Sequence, residues 1–175
     1  MSGYWTPLGA SASSLIPPTY VSDIVIANGQ SALTANRAYL MPISFLVTPF
    51  TFSRVMRGIA LNGGNTDLGV YYSDDEATFT RLWSSGSFVS PNGPNLHVLT
   101  IGTPQTLTPQ IGRRWFTACS IDNGSAQVSV DSVSSTRQMT PVFIKDTSFP
   151  LPAVLTAMTG PSGNNVNIPH LILGI

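Results

Sequence analysis

Asn65-Thr-Asp-Leu-Gly-Val-Tyr-Tyr-Ser-Asp-Asp75, followed by Arg81-Leu-Trp-Ser-Ser-Gly-Ser87, has the pattern of a β-hairpin. In an extended chain, successive side chains point to opposite faces. Leu68, Val70 and Tyr72 therefore share one face, and Asp67, Gly69 and Tyr71 share the other. Ser73-Asp-Asp-Glu76 supplies the turn, because short polar side chains bond to nearby backbone N–H groups. Arg81-Leu-Trp83 is the return strand, and Ser84-Ser-Gly-Ser87 closes it. The unit predicts an antiparallel β-protein with no evident chemistry inside it.

The same grammar continues on both sides. Strands are predicted at Val21–Ile26, Ala38–Val47, Phe52–Leu61, Asp67–Tyr72, Thr80–Ser84, Leu96–Ile101, Trp115–Ile121, Ala126–Val133, Pro141–Ile144 and Pro169–Ile175. Turn clusters separate them at Asn62–Asn65, Ser73–Glu76, Ser90–Pro94, Asp122–Ser125 and Gly160–Asn164. Asp122-Asn-Gly124 is a hairpin signal between two strand-like runs. Trp115, Thr117, Cys119 and Ile121 alternate with Phe116, Ala118, Ser120 and Asp122, so both faces are partly apolar, as in a strand covered on both sides. The apolar ending, Ile168-Pro-His-Leu-Ile-Leu-Gly-Ile175, suits a terminal strand paired inside a sheet. No long window shows a 3.6-residue period. Short strands with regular turns predict an all-β antiparallel sandwich or jelly roll over residues 21–175.

Residues 1–20 read differently. Pro7, Pro17 and Pro18 disfavour helix and central strand, and a Ser/Ala tract lies between them. Tyr4, Trp5 and Tyr20 need somewhere to be buried, so the segment reads as an extended arm that docks on a neighbouring subunit through those aromatics, with a frayed terminus as the alternative.

At 175 residues the chain suits one domain, with a core that needs no disulfide or metal. Charged residues are 9%, against about 25% in ordinary soluble proteins. Eight basic residues balance eight acidic ones; Lys145 is the only lysine and Glu76 the only glutamate. Such a surface suits packing against copies of itself or other subunits. It excludes the basic footprint that nucleic acid or an anionic membrane demands. No apolar run approaches the ~18 residues that span a bilayer. The start lacks the basic and apolar regions of a signal peptide, and the single Cys119 cannot form an internal disulfide. Folding in the cytoplasm is the expectation.

Candidate chemistry is thin. Asp67, Asp74, Asp75 and Glu76 gather carboxylates that Ca²⁺ would accept, but without the alternating spacing of an EF-hand loop. They read as turn and strand-partner residues. The single glutamate and clustered aspartates offer no glycosidase pair. Cys119 reads as a core thiol, and His97 and His170 as isolated strand residues. No nucleophile elbow, phosphate loop or dinucleotide fingerprint occurs. The expectation is no enzyme, no cofactor and no metal. Tyr71 and Trp83 are the candidate carbohydrate contacts, since exposed aromatic faces stack on sugars. Arg54 and Arg57 fall on opposite faces of one strand, so one should point inward, with Asp67 as its candidate partner.

Several pieces then occur in a suggestive order: Ala35-Asn-Arg-Ala-Tyr-Leu-Met-Pro-Ile43, Ser53-Arg-Val-Met-Arg-Gly58, Gly64-Asn-Thr-Asp-Leu-Gly-Val-Tyr71, Arg81-Leu-Trp-Ser-Ser-Gly-Ser87, Thr106-Leu-Thr-Pro109 and Arg114-Trp-Phe-Thr-Ala-Cys119. Together they resemble small jelly-roll-like β-sandwich structural proteins of tailed bacteriophages. The likeness spans about half the chain, roughly Ala35 to Asp122, and leaves out the arm. It implies a virion protein, often a homotrimer, assembled in the host cytoplasm. The role expected is capsid decoration (cement), clamping the major capsid protein and other neighbours. A tail or head-fibre appendage that binds host-surface carbohydrate is the alternative. The resembled hairpin carries a tight glycine turn; Ser73 to Arg81 here is longer and has no glycine.

Overall fold

The structure is a computed structural model that describes residues 20–21, 29–43, 46–61, 64–89, 96–124, 127–134, 143–146, 149–159, 165–169 and 171–175. Among these are fourteen strands and no helix. They are β1 Tyr20–Val21, β2 Gly29–Ala32, β3 Arg37–Ile43, β4 Phe50–Leu61, β5 Asn65–Ser73, β6 Thr78–Ser84 and β7 Phe88–Val89. The remainder are β8 Leu96–Leu107, β9 Arg114–Ile121, β10 Gln127–Ser134, β11 Phe143–Asp146, β12 Val154–Thr156, β13 Asn165–Pro169 and β14 Leu171–Gly174.

The opening hairpin forms as its sequence predicts. β5 pairs antiparallel with β6, Tyr72 opposite Thr80 and Gly69 opposite Ser84, with a bulge at Val70/Tyr71. Around it, every strand pairing is antiparallel, in two sheets. One contains β2–β10–β4–β8 and the other β3–β9–β5–β6. The chain crosses between sheets at every step from β2 to β10 except along β5, β6 and the short β7. Two four-stranded sheets filled in that order make a jelly roll. Later strands widen it: β11 joins β3, β12 joins β6, β13 joins β10 and β14 joins β4.

The fold is therefore the predicted all-β antiparallel sandwich. Tyr20 lies in β1, opposite Gly174; the rest of the predicted arm, with Tyr4 and Trp5, is outside the described residues, as are most of Val21–Ile26 and His170. β2, β7, β12 and most of β13 fall outside the predicted strands, and three other readings change. The strand begun at Ala38 ends by Ile43, and Val47 is 76% exposed in the connection that leads through Pro49 into β4. The strand at Leu96 runs on past Gly102 and Pro104 to Leu107. It does so because its register against β4 shifts there, and a bulge at a sheet margin accommodates residues that break a central strand. Asp122-Asn-Gly does not make a hairpin, since β9 and β10 belong to different sheets. The Asp122 carboxylate instead accepts the Asn65 backbone N–H at 2.8 Å and the Asn65 amide at 2.7 Å, which ties the connection to the start of β5.

The core has two parts. Between the sheets, Leu68 and Val70 of β5 meet Phe52 and Val55 of β4, Cys119 and Ile121 of β9, and Leu171 and Leu173 of β14. On the other face of β5 and β9, Tyr71, Phe116, Ala118 and Phe79 pack with Leu151 and Leu155. The central sheet is thus covered on both sides, as the alternation from Trp115 to Asp122 predicts. The second cover is the segment 149–159, whose β12 pairs with β6. Gly69 sits beneath it. A Cβ there would lie 2.9 Å from Leu151 Cδ1 and 3.2 Å from the Trp83 carbonyl oxygen. Leu151 is fully buried and cannot swing away. Gly69→Ala is expected to cost about 1–3 kcal/mol, the usual penalty for overpacking, measured by urea denaturation.

Candidate functional site

Alternation along β5 sends Thr66, Leu68 and Val70 toward the other sheet and Asp67, Gly69 and Tyr71 toward the 149–159 segment. Three polar side chains on that outer face hold the segment's backbone. Asp67 Oδ2 accepts the Leu151 N–H at 2.9 Å. Tyr71 donates its hydroxyl to the Pro152 carbonyl. Arg81 donates a guanidinium N–H to the Leu151 carbonyl, and its backbone N–H bonds the Ala153 carbonyl at 2.9 Å. The other Asp67 oxygen accepts the hydroxyls of Ser84 at 2.8 Å and Ser85 at 3.1 Å. Ser84-Ser-Gly-Ser therefore supplies the donors that let a carboxylate be buried, since an unbonded one would be prohibitively costly.

Burial raises the Asp67 pKa, against the opposing pull of Ser84, Leu151, Ser85 and the Arg81 charge. Burial likewise raises that of the Tyr71 hydroxyl. Asp67, Arg81, Trp83, Ser84, Ser85 and Pro150 line a shallow open hollow of about 730 Å³ beside the clamp. It gathers the polar groups of the clamp around a partly open surface.

The predicted sugar contacts part company here. Tyr71 is fully buried with its hydroxyl engaged, so it offers no ring face; that expectation is corrected, and its role is to fasten the clamp. Trp83 is half-buried and pairs with Val70, so its ring lies on the inter-sheet face, edge-on to Phe52 at 6.2 Å; the residue borders the hollow without turning its ring toward the clamp. Composition alone cannot separate the two, because alternation places a ring on a face without saying whether that face is covered.

The four carboxylates once grouped by sequence are dispersed. Asp74 forms a two-pronged pair with Arg113 at 2.7 and 2.8 Å, and that guanidinium lies 4.2 Å from the Tyr72 ring centre. Glu76 pairs with Arg114. Asp75 folds onto its own turn, accepting the N–H groups of Ala77 at 2.9 Å and Thr78 at 2.8 Å. Glu76 takes the left-handed backbone position, φ 56°, that a glycine would fill without strain. Asp67 lies apart, under the clamp.

Of the two arginines in β4, Arg57 is the inward one, as expected, and Arg54 is exposed. Asp67 is not its partner, because odd and even positions of β5 face opposite ways. Arg57 instead donates to Thr66 Oγ1 at 2.9 Å and lies beside the Cys119 thiol and the Phe88 ring. Burial lowers the Arg57 pKa and pushes the Cys119 thiol up to about 11. Cys119 is the predicted core thiol. The clamp was missed in sequence because its second half is main chain around Leu151, about eighty residues downstream. Ser84-Ser85 after the return strand was the available signal.

No protein-family model, curated protein or solved structure matches the chain.

A carboxyl group whose pKa is raised by folding adds most stability when protonated. The contribution is complete below its unfolded value, near 3.8, and is lost as pH rises through the folded value. In Asp67→Asn the amide can turn to accept from Leu151 and donate to the serines. The advantage of the natural protein over Asp67→Asn should therefore be greatest at pH 3 and shrink as pH rises. Thermal melts of both proteins across that range check this. The surface pairs of Asp74 with Arg113 and of Asp146 with Arg37, and the turn around Asp75, contribute equally to both and cancel.

Proposed function

We propose that the protein is a non-enzymatic structural subunit of a bacteriophage virion, a capsid decoration protein that clamps neighbouring shell subunits. The observation that carries this reading is the jelly-roll strand order, an architecture used by viral capsid proteins and lectins. A neutral surface with 9% charged residues supports it, since such a surface favours contact over free diffusion. The phage-like motifs support it as well: four of the six pieces fall on β3, β5, β6 and β9, the strands of the doubly covered sheet. On this reading the protein is a homotrimer, its partners are the major capsid protein and other virion proteins, and its place is the virion.

The partly exposed Trp83 supports one second reading, a tail or head-fibre appendage that binds host-surface carbohydrate. With Tyr71 buried, that reading rests on Trp83 and the polar groups around it.

Particles from a lysate that contains the protein, separated on a density gradient, discriminate the readings. The decoration role predicts co-sedimentation with filled heads in fixed ratio to the major capsid protein, including heads without tails. Recovery only with tails, together with glycan-array binding that Trp83→Ala removes without lowering the melting temperature, points to the appendage. Protein left wholly at the top of the gradient contradicts both.

A further inference from the structure

The two sheets differ in how their outer faces are covered. The β3–β9–β5–β6 face is sealed by residues 149–159. On the other sheet, Val98 of β8 stands opposite Met56 of β4, which stands opposite Ile172 of β14. Directly paired residues point the same way, and their neighbours Val55, Leu171 and Leu173 fill the core. The three therefore form an apolar row on the outward face; Val98 is 44% exposed and Met56 and Ile172 partly so. Arg54 is the one charged side chain on the described outward positions of β4, β8 and β14.

The chain carries a segment that matches this face. Residues 1–19 contain no charged residue and include Tyr4, Trp5, Leu8, Leu15 and Ile16. They join the sheet at Tyr20 of β1, beside β14. Fully extended, the segment reaches roughly 60 Å, while β14 and β8 are only about 10 Å apart. Its direction matters more. Tyr20 is opposite Gly174 and Val21 opposite Leu173, so β1 is entered from the Ile175 end of β14. Pro17 and Pro18 have no N–H with which to extend the β1–β14 ladder. Returning over its own sheet needs a reversal; meeting the sheet of a neighbour does not.

We propose that the Val98–Met56–Ile172 face receives residues 1–19 of a second copy of this chain, an arm exchange that builds the oligomer. It stands whether or not the protein belongs to a virion.

Complementation in the full chain tests it. One variant disables the arm (Tyr4→Ser with Trp5→Ser) and another the face (Val98→Asp, with Met56→Glu as a second face variant). Sedimentation velocity reads association, and melting curves confirm folding. The natural protein should self-associate, and each variant alone should associate about tenfold or more weakly. Mixing arm and face variants should restore a heterodimer, since one still offers an intact arm and the other an intact face. A monomeric natural protein, or variants that associate like it, overturns the exchange. So does a mixture that stays monomeric, which would place the arm on its own sheet.

Discussion

A carboxylate buried between a sheet and its cover must have every oxygen hydrogen-bonded, and much of this structure follows from how Asp67 meets that demand. Its donors come from two places far apart in sequence: the hydroxyls of Ser84 and Ser85 at the end of β6, and the N–H of Leu151. Satisfying it fixes the exit of the hairpin and the path of the 149–159 segment together. Tyr71 and Arg81 bind the carbonyls on either side of the Leu151–Pro152 bond, so the segment is gripped by donors and an acceptor at once. The hydrogen bonds to Asp67 offset part, not all, of the cost of burying the charge, which is why burial still raises the Asp67 pKa. The clamp is specific in register as well as adhesive.

That grip gives the sandwich its asymmetry. With the outer face of β5 and β9 closed by Leu151, Leu155 and the Phe79–Phe116–Phe143 ring cluster, the central sheet is dry on both sides. The opposite sheet keeps an apolar row facing outward. A protein with so few charges has little else with which to specify contacts. Shape, apolar rows and paired ions at loop ends are what remain.

The sequence was most legible where local pattern and tertiary outcome coincide. Alternation in Asn65–Asp75 put Leu68 and Val70 on one face of the strand and Tyr71 on the other, and the mixed pattern at Trp115–Asp122 indicated cover on both faces. It was least legible where a distant segment decides. Nothing local to Tyr71 says that Pro152 will take its hydroxyl and bury the ring. Asp122-Asn-Gly has hairpin chemistry, yet Asn65 claims the Asp122 carboxylate and the chain changes sheet. Gly102 and Pro104 look like the end of a strand, but on a sheet margin a bulge absorbs them. Parity required only that one of Arg54 and Arg57 point inward; Asp67 was misjudged as the partner because it lies one residue away from the face that Arg57 reaches.

Amide hydrogen exchange on the native protein tests most directly whether the clamp is part of the cooperative fold. The Leu151 N–H, bonded to Asp67, should exchange as slowly as the amides in the middle of β5 and β9, all through global unfolding. A Leu151 amide that exchanges at the rate of an open loop while β5 and β9 stay protected would contradict the account.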